Sequence, residues 1–245
     1  MPLVSIADTL ANWQGVFFSQ PASLPAGAYF QKIQARSSDA QVQLYAVFFN
    51  EKKCYLRILD NPPSAAVDLA SALRRAGDFA GVNGSYFHEN FEPLGLVISN
   101  RQLLHSLEKA QLLSGILEIR EHSIRLVRTN EFRFSKQIVN ALQAGPFLLE
   151  NGKMIRGLNK LRVARRTVVA SDGKGNWALI SMSPLTLAQA GELLASPDIF
   201  PKWRPLHALN LDGGSSSSFW ANTKPTPVSI REFGTVRNFL GIHSF

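Results

Sequence analysis

Short apolar runs alternate with polar or glycine-rich breaks along this chain, and few of those runs reach helical length. Pro21, Pro25 and Gly27 interrupt the N-terminal part before YFQKIQA. VQLYAVFF and CYLRIL follow across NEKK, a spacing that predicts a hairpin. Beyond Pro62 and Pro63, SAAVDLASALRRAG sets Ala66, Leu69, Ala70 and Leu73 on one helical face. Ser64 is the expected N-cap of that helix and Gly77 its stop. FAGVNGSYF through FEPLGLVISN predicts strand, polar loop, strand, and GILEIREHSIRLVR predicts a hairpin across EHS. Ser135 is placed to cap one or two helical turns through IVNAL. FLLE and KMIR flank Asn151-Gly152, a strong two-residue turn signal. RTVVA and NWALISM read as strands across DGKG, and Thr186 with Gln189 forms a capping box for LAQAGELLA. RNFLGIHSF supplies a last strand. With no internal repeat or linker, the expected architecture is α+β: one domain over 1–245, mostly antiparallel or mixed sheets, two or three packed helices.

Composition narrows the class. Of the 245 residues 45% are hydrophobic and 18% charged, enough for a substantial core. No apolar run is long enough for a transmembrane helix, so no membrane span is expected. The opening MPLVSIADTLANWQG has neither a basic n-region nor a continuous apolar h-region. Read literally, that places the protein in the cytoplasm, or in the periplasm or outside if an upstream signal peptide has been removed. The single cysteine, Cys54, leaves no intrachain disulfide and no multi-cysteine zinc site, and it reads as a buried inert thiol. A net charge of +8 favours anionic partners. Apart from a local group at Lys160, Arg162, Arg165 and Arg166 the basic residues are dispersed, and no nucleic-acid-binding signature accompanies them.

The densest candidate chemistry lies in LHALNLDGGSSSSFW, residues 206–220. A buried-type strand ends on Asp212, so its carboxylate is held by a rigid element. Gly213 and Gly214 allow unusual backbone angles and a close ligand approach. The main-chain N–H groups and hydroxyls from Ser215 and Ser216 onward form a donor set suited to an anion or a sugar. Taken alone, Asp-Gly-Gly is equally an ordinary turn.

Five further segments join polar residues to glycine at strand ends: VNGSYF (82–87), EPLGL (92–96), LQAGPFLLENGK (142–153), RRTVVA (165–170) and VRNFLGI (236–242). In this order the six segments resemble the phosphodiester glycosidase family, whose eukaryotic member uncovers mannose 6-phosphate by removing N-acetylglucosamine. The resemblance covers roughly residues 80–245. Ser85 and Ser215 stand where that family usually has glycine, which are small-for-small departures. The resemblance implies a hydrolase cleaving the glycosidic bond of a sugar-1-phosphodiester, with Asp212, Asn83 and Arg166 as catalytic residues. It also implies substrate contacts at Gly84, Tyr86, Gly145, Thr167, Gly213, Gly214, Ser215, Ser216, Arg237 and Asn238.

The residue chemistry is compatible with that assignment. Phosphate is a good leaving group, so one carboxylate can suffice where ordinary glycosidases use two. Arg165 and Arg166 are strand neighbours and should face opposite ways. Only one of them can serve the site; the resemblance implies Arg166, directly before Thr167, whose guanidinium suits two-point phosphate pairing, with Arg165 a solvated surface charge. Asn83 is an amide in reach of substrate or a turn residue. Tyr86 either stacks on sugar or packs, and Phe87 packs. His88, Glu89 and Glu92 are acid–base reserves, and Arg237 is a site residue or a surface charge. No cofactor is required. The histidine spacing spells no metal site, although Asp212 with loop carbonyls is a candidate for a hard cation such as Ca²⁺ or Mg²⁺. The expected partner is a small sugar phosphate or phosphoglycan, with no nucleic acid. A metal-assisted phosphodiesterase cutting P–O and a non-catalytic phosphoglycan-binding module are the other readings.

Overall fold

The computed structural model describes residues 12–245. The signal-peptide reading of the first residues lies outside that range. Among the described residues every strand pairing is antiparallel, and the strands form three sheets with two α-helices, Leu69–Ala76 and Leu187–Ala195. The α+β expectation therefore resolves into a sheet-dominated fold. The largest sheet runs Gln14–Phe18, Tyr29–Arg36, Gln41–Asn50, Asn176–Leu185, Ala164–Ser171, His207–Asn210, Phe147–Glu150, Lys153–Met154. A second sheet centres on Ile138–Ala144, and a third on Ala80–Asn83 between Phe219–Ala221 and Asn238–Ser244.

One apolar core joins the three. Val47, Val169, Leu179 and Leu209 of the large sheet meet Leu117 and Leu142 of the second and Leu56, Val82, Phe219 and Leu240 of the third. Each such side chain gains roughly 1.5–3 kcal/mol by leaving water. The other face of the large sheet, with Val168, Ala170, Ile180 and Ala208, is covered by Ala190, Leu193 and Leu194 of the second helix. Its central strands are buried on both faces, which is why RTVVA and NWALIS read as nearly unbroken apolar runs.

Several local signals are realised. Thr186 and Gln189 make both bonds of the capping box, and Asn151 and Gly152 turn with φ of 51° and 73°. Gly77 closes the first helix at φ 75°, but the helix starts at Leu69. Asp68, not Ser64, is its N-cap, because its carboxylate accepts from Ser71 N at 2.8 Å while Pro63–Ala65 forms a separate 3-10 turn. Cys54 is buried, and burial pushes its thiol pKa up. Among the described residues no helix is long and apolar enough to cross a membrane.

Two further expectations fail. Gln41–Asn50 and Cys54–Asp60 are not a hairpin: the first pairs with Tyr29–Arg36 and Asn176–Leu185, the second with Asn238–Ser244. Between them the chain passes from the large sheet to the third. Glu51 fixes the crossing by accepting from Trp177 Nε1 at 2.9 Å and Ile124 N at 3.1 Å. The run IVNAL is not helical but part of the strand Ile138–Ala144, buried throughout. Its polar positions are cross-links and not a solvent face: Asn140 Oδ1 accepts from Asn100 N at 3.0 Å, and Gln143 Oε1 from Leu96 N at 2.9 Å.

Candidate active site

Three strand ends from two sheets converge on one amide. Asn83, wholly buried at the end of Ala80–Asn83, accepts at Oδ1 from Thr167 Oγ1 (2.7 Å) and Ser218 N (3.0 Å). Its Nδ2 donates to the carbonyl of Asp212 at 2.8 Å. Main-chain bonds complete the seam, Leu211 N to Thr167 O (2.8 Å) and Asp212 N to Gly84 O (3.1 Å). Asn83, Thr167 and Asp212, distant in sequence, thus stand together, with Asn83 and Thr167 acting on the backbone that carries Asp212.

Asp212 is half-buried. Its Oδ1 accepts from Gly213 N at 2.7 Å, and the Ser216 hydroxyl also bonds it. Burial pushes its pKa up, while the Ser216 and Gly213 donors and the nearby Arg162 guanidinium pull against that rise. Gly213 is required by space, because a Cβ there would sit 2.7 Å from Arg165 O. Gly214 is required by its backbone, at φ 64°. Ser216 is buried and Ser215 exposed.

Arg165 and Arg166 hold different carbonyls, and Arg165 is no free surface charge. Its guanidinium donates to Gly214 O (2.9 Å), Ser215 O (3.1 Å) and Arg231 O (3.1 Å), and it stacks on Phe233 at 4.5 Å. It braces the loop that follows Asp212. Arg166 is buried; its Nε donates to Leu185 O (3.0 Å) and Nη2 to Arg162 O (2.6 Å), leaving Nη1 without a protein partner. A Cβ on Gly213 would lie 3.9 Å from that Nη1, so it borders the Asp212 loop.

Tyr86 fills the other side. Its hydroxyl donates to Gly145 O at 2.7 Å and accepts from Asn210 Nδ2 at 2.8 Å. Burial first, then the Asp212 charge, pushes the phenol pKa far up, so it remains protonated. Gly145 serves this contact through its carbonyl, and its missing Cβ is demanded by Leu112 O, 2.1 Å from where a Cβ would be.

Two residues of this cluster escape sequence reasoning. Asn210 donates to Tyr86 Oη, Gly145 O (3.0 Å) and Leu211 O (2.7 Å), while its buried Oδ1 has no partner. Its one signal is a polar residue inside the apolar run HALNL. Arg162 is exposed, its carbonyl is held by Arg166, and its charge acts on Asp212, Tyr86 and Arg166 together. Arg162→Ala should therefore raise the Asp212 pKa further. The acid limb of the kcat/KM profile, where a needed carboxylate is lost, should move to higher pH. An unmoved limb would show that Arg162 does not act on this carboxylate.

Other expected site residues have structural occupations. Gly84 does not clear room for substrate; the space beside it holds Asn238, whose Oδ1 would be 1.9 Å from an added Cβ. Asn238 is buried, accepts from Ser85 N at 2.9 Å and donates to Ser85 Oγ at 2.8 Å. Gly84→Ala should cost about 1–3 kcal/mol by overpacking and lower the melting temperature, which calorimetry would read; an unchanged melting temperature would contradict this packing. Arg237 pairs with Asp60, so its guanidinium is engaged at the edge of the third sheet. His88, Glu89 and Glu92 are exposed in the loop after Tyr86, where His88 N donates to Glu92 O at 2.8 Å. Phe87 stacks on Phe91 at 5.5 Å.

An all-protein Ca²⁺ cage takes six to eight oxygens, whereas Asp212 brings one carboxylate, with the Arg162 charge acting on it. Among the described residues no three His, Cys, Asp or Glu side chains gather. The prominent surface hollows also lie elsewhere. One of about 520 Å³ is lined by Tyr55, Arg57 and Asn140, and another of about 650 Å³ by Tyr29, Phe48, Phe200 and Trp203.

The profile of the phosphodiester glycosidase family matches residues 76–243. The chain belongs to this family. The match spans the Asn83, Arg166–Thr167 and Asp212 segments. An uncharacterised Escherichia coli (strain K12) protein, YigE, is 35% identical over 78 residues, 29% of this chain and 31% of that protein. The catalytic domain of zebrafish N-acetylglucosamine-1-phosphodiester alpha-N-acetylglucosaminidase, auto-inhibited by its pro-peptide, superimposes with a TM-score of 0.63 at 17% identity. That superposition covers 93% of this chain and 88% of the zebrafish chain. A hypothetical protein from Synechocystis gives a TM-score of 0.61 at 17% identity, covering 89% of this chain and 62% of that one. The likeness to these solved structures is one of fold. In this chain the large sheet and the third sheet meet at Asp212.

Proposed function

We propose that this phosphodiester glycosidase hydrolyses the anomeric C–O bond of a sugar-1-phosphodiester, releasing the sugar and a phosphate monoester. The observation that carries the reading is a single desolvated carboxylate, Asp212, beside guanidinium groups that keep unused donors. As the C1–O bond breaks, its electron pair leaves on the phosphate oxygen. Arg162 and the Nη1 of Arg166 meet that growing charge, the kind of preorganised stabilisation that dominates many rate enhancements. Asp212 stabilises the positive anomeric centre and takes the proton of the water adding to C1. Asn83 and Thr167 hold the Asp212 backbone, and Tyr86 and Asn210, tied to each other and to Gly145 O, brace the wall beside it. The glycine–serine loop supplies main-chain donors at its open edge.

The location of the cut tests this directly. Hydrolysis in ¹⁸O-water should place the label on the sugar, because water adds to C1. Label on phosphate would mean P–O cleavage and would replace this mechanism with a phosphodiesterase one. Saturable binding of sugar-1-phosphodiesters with no product would reduce the protein to a binding module.

A further inference from the structure

Two loops at the mouth of the Asp212 cluster hold three of the most solvent-exposed large apolar side chains among the described residues. Leu161 is 88% exposed, Val163 60% and Phe233 79%. The first loop is tied to Arg166, and the second to Arg165 and to the segment after Asp212. The carbonyl of Arg162 accepts from Arg166, that of Arg231 from Arg165, and Phe233 N donates to Ser215 O at 2.8 Å. The apolar tips alternate with exposed cations Lys160, Arg162 and Arg231. From Asn151 to Ser171 there are six basic residues, Lys153, Arg156, Lys160, Arg162, Arg165 and Arg166, and no acidic one. The nearest acid in the second loop, Glu232, turns inward and accepts from Leu69 N at 2.9 Å, at the start of the first helix.

We infer that this rim docks on an anionic lipid surface, and that the sugar phosphodiester cleaved at Asp212 carries an apolar aglycone embedded there. The second clause rests on the function proposed above; the docking surface does not. A protein partner of ordinary size covers about 800 Å² per side and wants a continuous apolar centre. Single apolar tips separated by cations suit a bilayer interface instead. Each tip gains by entering the acyl boundary, and the cations meet the headgroup phosphates. The basic flank that meets the leaving phosphate would then also meet the lipid surface.

Cys54 is the chain's one cysteine and is 1% exposed, so Leu161→Cys can be labelled alone with an environment-sensitive dye. With phosphatidylglycerol vesicles the dye emission should shift to the blue, and with phosphatidylcholine vesicles it should not. Leu161→Ser/Val163→Ser keeps every charge. At about 0.15 M salt, where long-range attraction is screened, it should bind phosphatidylglycerol vesicles roughly tenfold more weakly. Its melting temperature and its turnover of a short-chain, water-soluble substrate should match the parent protein. Turnover of the same sugar phosphodiester with a long-chain aglycone in those vesicles should fall by a similar factor. A dye that stays in water, or a double variant that binds like the parent, overturns the docking surface. Equal turnover of both substrates by the variant overturns the apolar aglycone. Failure to release sugar from any sugar-1-phosphodiester while vesicle docking persists would overturn the proposed function and the aglycone, and leave the surface standing.

Discussion

Asp212→Asn should fold normally and lose roughly two to four powers of ten in turnover. The amide keeps the size of the carboxylate, and its oxygen can still accept from Gly213 N, which lies 2.7 Å from Oδ1 in the parent protein. Only the charge is removed, so the loss reads the charge. The stability side has a definite sign. A carboxyl whose folded pKa is raised binds its proton more tightly folded than unfolded, so it costs stability as pH rises above its ordinary value. Burial raises the Asp212 pKa, and its charged form therefore destabilises the fold at neutral pH. The variant should melt at the same temperature or higher there, with the difference vanishing in acid. Single-turnover rate and melting temperature on one preparation decide the matter: a variant that is destabilised yet active would make Asp212 a loop brace. Better leaving groups should not rescue the rate, because phosphate already leaves well and Asp212 is not proposed as its acid.

Arg166→Lys should lower kcat/KM by roughly two to three powers of ten despite keeping a positive charge. The planar guanidinium spans Leu185 O and Arg162 O and still presents Nη1. One ammonium cannot hold both carbonyls and a substrate phosphate. An unpaired buried carbonyl should also cost about 1–3 kcal/mol, so the melting temperature should fall. Inhibition by a phosphate monoester product separates the two effects: it should weaken in folded variant at reduced temperature. Arg165→Lys would not be silent, since Arg165 holds three carbonyls around the Asp212 loop, but its loss should be nearer tenfold and without weakened product inhibition. If the two variants match in both rate and inhibition, the anion role does not belong to Arg166.

Much was legible along the chain because it is local. Turn chemistry at Asn151-Gly152, the Thr186–Gln189 capping box and the helix stop at Gly77 depend on a few neighbouring residues, and all three form. The pairing of Ala164–Ser171 with Asn176–Leu185 follows from one short turn. Asp212 stood out for the same reason, a carboxylate where an apolar strand runs into glycines.

What required tertiary structure was partner identity. Strand character at 41–60 does not say which sheet each strand joins, since that choice is made by long-range burial and by Glu51 reaching Trp177 and Ile124. Ser135 suggested a helical turn through IVNAL, and only pairing with Gly115–Arg120 and Val97–Ser99 makes that run a strand. Glycines were readable as necessary but not as to why: Gly84 and Gly145 make way for Asn238 and Leu112 O, not for substrate. Arg237 reaches Asp60, and Arg162, exposed in a loop, joins Asp212 only because Arg166 holds its carbonyl. Sequence determined the local turns, the capping box and most of the strands, and singled out Asp212 as a candidate, since backbone preference and burial period are short-range. Folding decided which side chains share that carboxylate's field, since that depends on contacts between strands far apart in the chain.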